Sequence, residues 1–404
     1  MKGPKYRVAM YSPGMVGFGH IRRNASIAQA LRCSALQPVI VMIAEAWQAG
    51  SLPMPEGVDT LTLPALRKEA DGCCKPRYLD VSKQELIALR AKVIQSAIKV
   101  FEPDVLIVDH LPRGAGCELD ELLEHVRKHG NTRCVLGLRD VLQDPKTVHK
   151  NWSEQGSLRT IRSYYDAVWI YGDPAVYDPI HKYRLPDWVA AKAHYTGYLD
   201  QCPRLQFGGA QVADILANLP PGRLAVCVVG GGQDGAALAD AFLRADLPPD
   251  TSGVAVLGPY MPSTTRRQLG RIAERRPLVK LLDFVPEPAP LISRADRVIA
   301  MGGYNSVCEV LSFEKHALIV PRVSPKPEQL IRAQRLRDLG LIDMLHPDKL
   351  SPQAITDWLA RDLGQPPPSR TLVDFGGLNR IPDLLAALLE APAEPRPQVV
   401  PAVS

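Results

Sequence analysis

The chain alternates short runs of aliphatic and β-branched residues with longer segments in which apolar residues recur at helical spacing. In the first half these runs predict strands at 6–11, 38–44, 60–63, 104–109, 133–138 and 167–171. In the second half they predict strands at 224–229, 254–257, 279–283, 297–300 and 317–320. Strands that alternate with helices form parallel sheets covered by helices. The pattern therefore predicts an α/β fold with two doubly wound, Rossmann-like domains.

The length of 404 residues exceeds the size at which one hydrophobic core keeps growing, so two domains are expected. Residues 197–207 lack a clear periodicity, which is typical of an interdomain linker. We expect a first domain at 1–196, a second at 208–391 and a disordered, proline-rich tail at 392–404. Residues 64–78 are predicted to form a long surface loop. Doubly wound domains bind ligands at the carboxyl ends of their strands, so the cleft between the domains is the expected site.

Composition narrows the classes of function. The net charge is only +5, and Lys and Arg are mixed with Asp and Glu, which argues against nucleic acid as the main partner. No run approaches the roughly 18 apolar residues of a membrane span, and no signal-peptide pattern opens the chain. The eight cysteines are scattered without a Cys-x-x-Cys pair. They predict reduced thiols in a cytoplasmic protein, with no structural zinc.

A glycine-rich turn follows the first predicted strand in the segment SPGMVGFGH, residues 12–20. Its glycines, including Gly17 and Gly19, let backbone N–H groups approach an anion or a sugar at the start of a helix. The spacing matches neither a dinucleotide fingerprint nor a P-loop. We expect this turn to lie on the acceptor side of the cleft.

Two residues at this edge are candidates for acid–base chemistry. His20 follows the glycine turn, where an imidazole can accept a proton from an acceptor hydroxyl or simply hydrogen-bond the loop. Asp109 ends the fourth predicted strand at the same edge of the sheet. It can orient His20, serve as the base itself, or act only as a turn residue.

The second half repeats the arrangement of strand, glycine turn and helix at residues 230–235, GGGQDG. Amides at a helix N-terminus favour negative charge, so Gly231, Gly232 and Gln233 are candidate contacts for a diphosphate. The recurrence at the corresponding place in both halves strengthens this interpretation.

The segment 301–334 carries a further turn and helix. Gly303 precedes a helix whose first N–H groups, at Asn305 and Ser306, can face an anion. Glu309 lies one turn further on, where a buried carboxylate can accept hydrogen bonds from both ribose hydroxyls. The following loop carries Glu328-Gln329, whose polar groups can bind sugar hydroxyls.

These three segments resemble the GT-B glycosyltransferases, and most closely family 28 and its MurG-type enzymes, which add GlcNAc to a lipid-linked intermediate. The resemblance implies that Glu309 binds ribose, Asn305 and Ser306 bind the phosphates, and Glu328-Gln329 bind the donor sugar. The family's base-binding turn is similar to residues 282–286, LDFVP, where backbone groups near Phe284 and Val285 would pair with uracil. Gly232 stands where the family has a serine.

We therefore predict an inverting glycosyltransferase that uses a nucleoside-diphosphate sugar, expected to be UDP-linked, without a cofactor. No Asp-x-Asp triplet is present, and the pair His125 and His129 lies among charges typical of a solvated helix face, so no metal site is predicted. Two alternatives are a UDP-sugar 2-epimerase and a non-catalytic sugar-nucleotide-binding protein. The acceptor stays open among a lipid-linked sugar, a natural product and a polysaccharide precursor, and the first of these would imply peripheral membrane contact.

Overall fold

The computed structural model describes residues 6–14, 19–45, 52–68, 74–129 and 131–392. Gly17 and all but the first residue of the expected tail at 392–404 lie outside this part of the chain. The described residues form two parallel sheets with helices packed on their faces.

The first sheet has seven parallel strands in the order β3-β2-β1-β6-β7-β8-β9. The strands are β1 (Arg7–Ser12), β2 (Val39–Ala44), β3 (Val58–Thr62), β6 (Val105–Asp109), β7 (Arg133–Arg139), β8 (Ala167–Tyr171) and β9 (Ala193–Tyr195). The helices of this half are α1 (Gly19–Cys33), α2 (Lys83–Phe101), α3 (Asp120–His129), α4 (Pro145–Glu154), α5 (Ser157–Tyr164), α6 (Pro179–Lys182) and α7 (Asp187–Ala190). The central strands β1, β6 and β8 are buried almost throughout, as expected when helices cover both faces of a parallel sheet.

The second sheet has six parallel strands in the order β12-β11-β10-β13-β14-β15. They are β10 (Arg223–Val228), β11 (Thr251–Val256), β12 (Val279–Leu282), β13 (Arg297–Ala300), β14 (His316–Ile319) and β15 (Asp343–Met344). The helices that follow the linker are α8 (Gly209–Ala217), α9 (Ala236–Arg244), α10 (Ser263–Ala273), α11 (Ala289–Arg294), α12 (Tyr304–Ser312), α13 (Glu328–Asp338), α14 (Pro352–Ala360), α15 (Ser369–Leu372) and α16 (Gly377–Glu390).

The predicted α/β class with two doubly wound halves is confirmed, and each predicted strand coincides with an observed one to within a few residues. Strands β9 and β15, each at one edge of its sheet, were not predicted, because two or three residues are too few to show a periodicity. The prediction of a plain loop at 64–78 was wrong. That segment contains an antiparallel pair, β4 (Leu66–Lys68) and β5 (Cys74–Pro76).

The chain passes between the two halves twice. The first passage is the linker, which contains a short 3₁₀ helix at Cys202–Gln206. The second passage leads into α16, which follows the second sheet in sequence but packs against α1 of the first half. The two passages touch, since the N–H of Tyr198 donates to the carbonyl of Asp374 at 2.7 Å and Leu199 bridges to Gly376. The expected second domain, 208–391, therefore includes a helix that lies on the first half.

Both sheets change their strand order at a switch point that faces the cleft. In the first sheet it lies between β1 and β6, and in the second between β10 and β13. Connections leave in opposite directions at such a point, which opens a crevice at the carboxyl ends of the strands. The glycine turn before His20 and the turns at 230–235 and 302–303 all follow strands that border these two crevices.

Candidate active site

His20 and Asp109, which are separated by 89 positions in the sequence, meet at the first switch point. His20 is the second residue of α1, and Asp109 is the last residue of β6. Nδ1 of His20 lies 2.7 Å from Oδ2 of Asp109, and the carboxylate is fully buried while the imidazole is 24% exposed. An ionised carboxylate only accepts hydrogen bonds, so Nδ1 carries the proton and Nε2 keeps a free lone pair.

The protonation states suit a base. Burial lowers the pKa of His20 below its usual value of about 6.5, although Asp109 acts in the opposite direction. Burial alone would raise the pKa of Asp109, but Arg23 and His20 outweigh it and hold that pKa below its usual range. At neutral pH the pair therefore consists of a neutral imidazole held by an ionised carboxylate.

Arg23 anchors this pair and was not predicted. Its Nη2 lies 2.7 Å and 2.6 Å from the two carboxylate oxygens of Asp109. Its guanidinium also sits 5.3 Å from the ring centre of Tyr304, the first residue of α12. The signal was the i, i+3 spacing from His20, which places both side chains on one face of a helix.

His110 and Arg139, at the ends of β6 and β7, extend the site and were also missed as site residues. The rings of His20 and His110 are 5.5 Å apart, and His110 has a left-handed backbone with φ of 68°. Nη2 of Arg139 lies 3.3 Å from Nε2 of His110. Polar residues at neighbouring strand ends were the available signal, since parallel strands end at one edge.

The glycine loop at 230–235 lies at the end of β10 on the opposite side of the cleft. Gly230 and Gly232 have φ of 65° and 87°, a region that side chains disfavour. A Cβ at Gly232 would lie 2.8 Å from Cα of Gly258, so the loop packs too closely for any other residue. Gly231 is partly exposed and Gln233 is exposed.

The start of α12 touches the start of α1. Gly303 is the N-cap of α12, and Nδ2 of Asn305 donates to the carbonyl oxygen of Gly19 at 2.8 Å. Asn305 and Ser306 remain partly exposed. The N-termini of α1 and α12 thus lie next to His20, and the dipoles of such helix ends make this part of the cleft favourable for an anion.

Glu309 is held by the first half of the chain. Its carboxylate is buried and pairs with Arg22 of α1, which also lies 2.9 Å from Glu287. Arg204 of the linker binds the other oxygen of Glu287 at 2.7 Å. Burial raises the pKa of Glu309 despite Arg22. In this arrangement Glu309 can reach a ribose only after Arg22 moves aside. The sequence did not predict the ion pair between Arg22 and Glu309.

The remaining candidate donor residues surround the same cleft. Glu328 begins α13 and pairs with Arg322, while the N–H of Arg322 donates to Oε1 of Gln329 at 3.0 Å. Phe284 is half-buried and Val285 is buried after β12. Arg322 also lies 2.9 Å from Asp234 of the 230–235 loop, which ties two of the predicted donor segments together.

In the part of the chain that the structure describes, no three His, Cys, Asp or Glu side chains are grouped to hold a metal ion. The centres of the His125 and His129 rings lie 4.1 Å apart, with the rings tilted by 38°, beside an exposed Lys128–Glu124 pair. Among the described helices, none combines the length and apolar character needed to cross a membrane.

Comparison with known proteins identifies the second half. Residues 225–366 match the model of the glycosyltransferase family 28 C-terminal domain. No curated protein matches the sequence. The match covers two of the three segments that suggested this family, 230–235 and 301–334, and does not include the glycine-rich turn at 12–20.

Solved structures match over nearly the whole chain. The calicheamicin glycosyltransferase CalG4 has 15% identity, with 96% of this chain and 100% of that chain covered and a TM-score of 0.60. MurG of Acinetobacter baumannii has 14% identity, coverages of 95% and 99% and a TM-score of 0.55. The UDP-GlcNAc 2-epimerase of Neisseria meningitidis, bound to UDP-GlcNAc, has 12% identity, coverages of 95% and 99% and a TM-score of 0.59. At these identities the likeness shows the fold, and it confirms the predicted GT-B architecture.

Proposed function

We propose that this chain, which has the GT-B fold and whose second half matches the family 28 C-terminal domain, transfers a sugar from a UDP-sugar to an acceptor hydroxyl or amine. The observation that carries this proposal is the contact between Asn305 and Gly19. It places the His20–Asp109 pair beside the helix N-terminus that is expected to receive the donor diphosphate.

In the proposed reaction, Nε2 of His20 takes the proton from the acceptor as its oxygen or nitrogen attacks the anomeric carbon. The bond between that carbon and the diphosphate oxygen breaks, and UDP leaves with the electron pair. Asp109 holds the tautomer and stabilises the imidazolium that forms. A single displacement of this kind inverts the anomeric centre.

The departing diphosphate gains its negative charge next to the N-terminus of α12 and the loop at 230–235. Asn305, Ser306 and Gly232 are the proposed phosphate contacts, Glu328-Gln329 the sugar contacts, and the turn at Phe284-Val285 the uracil contact. Glu309 binds the ribose after Arg22 releases this carboxylate and keeps only its ion pair with Glu287. No metal is assigned to the leaving group.

The test is His20→Ala, assayed by UDP release and product formation over a panel of acceptors. We expect transfer to fall by about a hundredfold or more while UDP affinity stays the same, because a general base acts only on the acceptor. His129→Ala, which removes an exposed histidine of the same half, is the matched control. A fully active His20→Ala enzyme would show that another group is the base.

A second experiment, with the parent protein, separates transfer from epimerisation. It is needed because one structural neighbour is a UDP-GlcNAc 2-epimerase. Incubation with UDP-GlcNAc in deuterium oxide, without acceptor, is followed by NMR. We expect no deuterium at C2 of the sugar. Exchange at C2 or a second UDP-sugar would assign an isomerase instead.

A further inference from the structure

The guanidinium of Arg139 lies at the edge of the active site and has no carboxylate partner among the residues that the structure describes. It ends β7, and its only hydrogen-bond contact among the described residues is the one to Nε2 of His110. Its Nε is buried and has no partner there. A cation removed from water is costly unless it is paired, so this position calls for an anion.

The carboxylates around Arg139 already pair with other arginines. Asp109 is bound by Arg23, Asp140 by Arg332, and Glu328 by Arg322 through Oε1, while Oε2 of Glu328 is buried without a partner among the described residues. Burial lowers the pKa of Arg139 to about 10, with Arg23 and Arg332 adding to the effect and Glu328 and Asp109 opposing it. The cluster therefore carries one positive charge more than its own carboxylates neutralise.

One further polar atom beside Arg139, Nδ1 of His110, is buried without a partner in the described chain. Because Nε2 of His110 accepts from Arg139, Nδ1 carries the proton and is a free donor. Burial and Arg139 keep the pKa of His110 well below its usual value, so the ring stays neutral, and Lys326 acts in the same direction.

The two residues come from neighbouring strands, since His110 follows β6 and Arg139 ends β7. The left-handed backbone of His110 is a further strained feature of the kind that collects at functional sites.

Resting on the function proposed above, we propose that Arg139 and His110 bind an anionic group of the acceptor, either a carboxylate or a phosphate. Both residues belong to the half that holds the base, and His110 lies next to His20. The donor diphosphate has its own contacts across the cleft, at the loop 230–235 and α12. The acceptor is therefore a hydroxyl or amine compound that also carries a negative charge.

Calorimetric titration with inorganic phosphate, at saturating UDP, tests this site. UDP occupies the donor anion site, so any phosphate bound in addition reports the second one. We expect one phosphate per chain, with a dissociation constant at least about tenfold higher in Arg139→Gln. Arg139→Lys should lie between the two, because it keeps the charge but loses the planar pair of donors. Arg267→Gln removes an exposed arginine and is the charge control.

The titrations separate the two proposals. Absence of a phosphate site in the presence of UDP, or equal phosphate affinity in Arg139→Gln, overturns the acceptor site alone. A matching loss of UDP affinity in Arg139→Gln would assign the arginine to the donor and also overturns it. Failure of the parent protein to bind UDP at all would instead overturn the proposed glycosyl transfer.

Discussion

Two groups of buried charges connect the halves of this chain, and they are built differently. At one, Arg332 of α13 grips Asp140 with Nη2 at 2.5 Å and Nε at 2.8 Å, both side chains are fully buried, and Tyr198 donates to the same carboxylate at 2.8 Å. The other group is a chain of alternating charges, which runs in the order Glu309, Arg22, Glu287 and Arg204.

The difference lies in what each group can give up. Arg332 forms an ion pair with one carboxylate, that of Asp140. Releasing Asp140 therefore leaves two buried charges without a counter-ion. Arg22 has two carboxylates, and it can release Glu309 while keeping Glu287. The first group is therefore suited to hold the halves together, and the second to exchange a carboxylate with a ligand that binds Glu309 more strongly.

The largest effect is expected at the first group. Asp140→Ala leaves Arg332 buried and unpaired, so the free energy of unfolding should fall by about 3–5 kcal/mol. Urea denaturation measures it. The control Asp240→Ala breaks the exposed pair with Arg244 and should cost at most about 1 kcal/mol. A loss at Asp140 no larger than that at Asp240 would remove the distinction between the groups.

Glu309→Ala should act mainly on the ligand. Loss of charge-assisted hydrogen bonds to ribose, about 1.5–3 kcal/mol, raises the UDP dissociation constant about tenfold to a hundredfold. Because Arg22 keeps Glu287, stability should fall less than in Asp140→Ala. Calorimetry with UDP, using the exposed Glu274→Ala as control, provides the measurement. Unchanged UDP affinity would remove Glu309 from the donor site.

The two carboxylates should also differ in the sign of their pH dependence. Burial would raise the pKa of Asp140, but Arg332 and hydrogen bonds bring it below its usual value. Its stabilisation is therefore present above about pH 3.9 and is lost as the pH falls through the lower folded pKa. Burial raises the pKa of Glu309, so its contribution is full below about pH 4.3 and is lost as the pH rises.

Urea denaturation of the parent, Asp140→Asn and Glu309→Gln between pH 3 and pH 7 checks this contrast. On acidification, the advantage of the parent over Asp140→Asn should shrink. The parent should gain relative to Glu309→Gln over the same change. Slopes of equal sign would mean that the two carboxylates lie in equivalent environments.

The smallest effect, none at all, is expected from EDTA. The chain has no Asp-x-Asp triplet, and the helix N-termini are proposed to meet the charge of the leaving group. The transfer rate should be the same before and after chelation. A loss that magnesium or manganese restores would show that a metal ion carries part of that charge.

The sequence predicted the strand ends well, and the meeting of His20 with Asp109 follows from them. Carboxyl ends of parallel strands share one edge, so residues that follow different strands come together whatever their separation. The contact between Arg22 and Glu309, 287 positions apart, depends instead on how two domains close on each other. No local pattern encodes that angle, and Arg22 looked like an ordinary polar residue of a helix.

The arginines around the active site were missed for a similar reason. Arg23 and Arg139 are recognisable only when their neighbours are known, because one is neutralised by Asp109 and the other is not. Composition counts both equally. The left-handed backbone of His110 was not predicted either, since a positive φ is uncommon for any residue other than glycine.

Because the chain crosses between its halves twice, with α16 returning to α1, two connections together form the hinge of the molecule. The two connections run side by side and are joined by the hydrogen bond from Tyr198 to Asp374. The ring of Tyr198 also lies 6.0 Å from the ring of Tyr304, the first residue of α12, so the start of the helix that faces His20 lies beside this hinge. A single proteolytic cut in the linker would leave the two halves attached, because the segment that leads into α16 still packs on the first half.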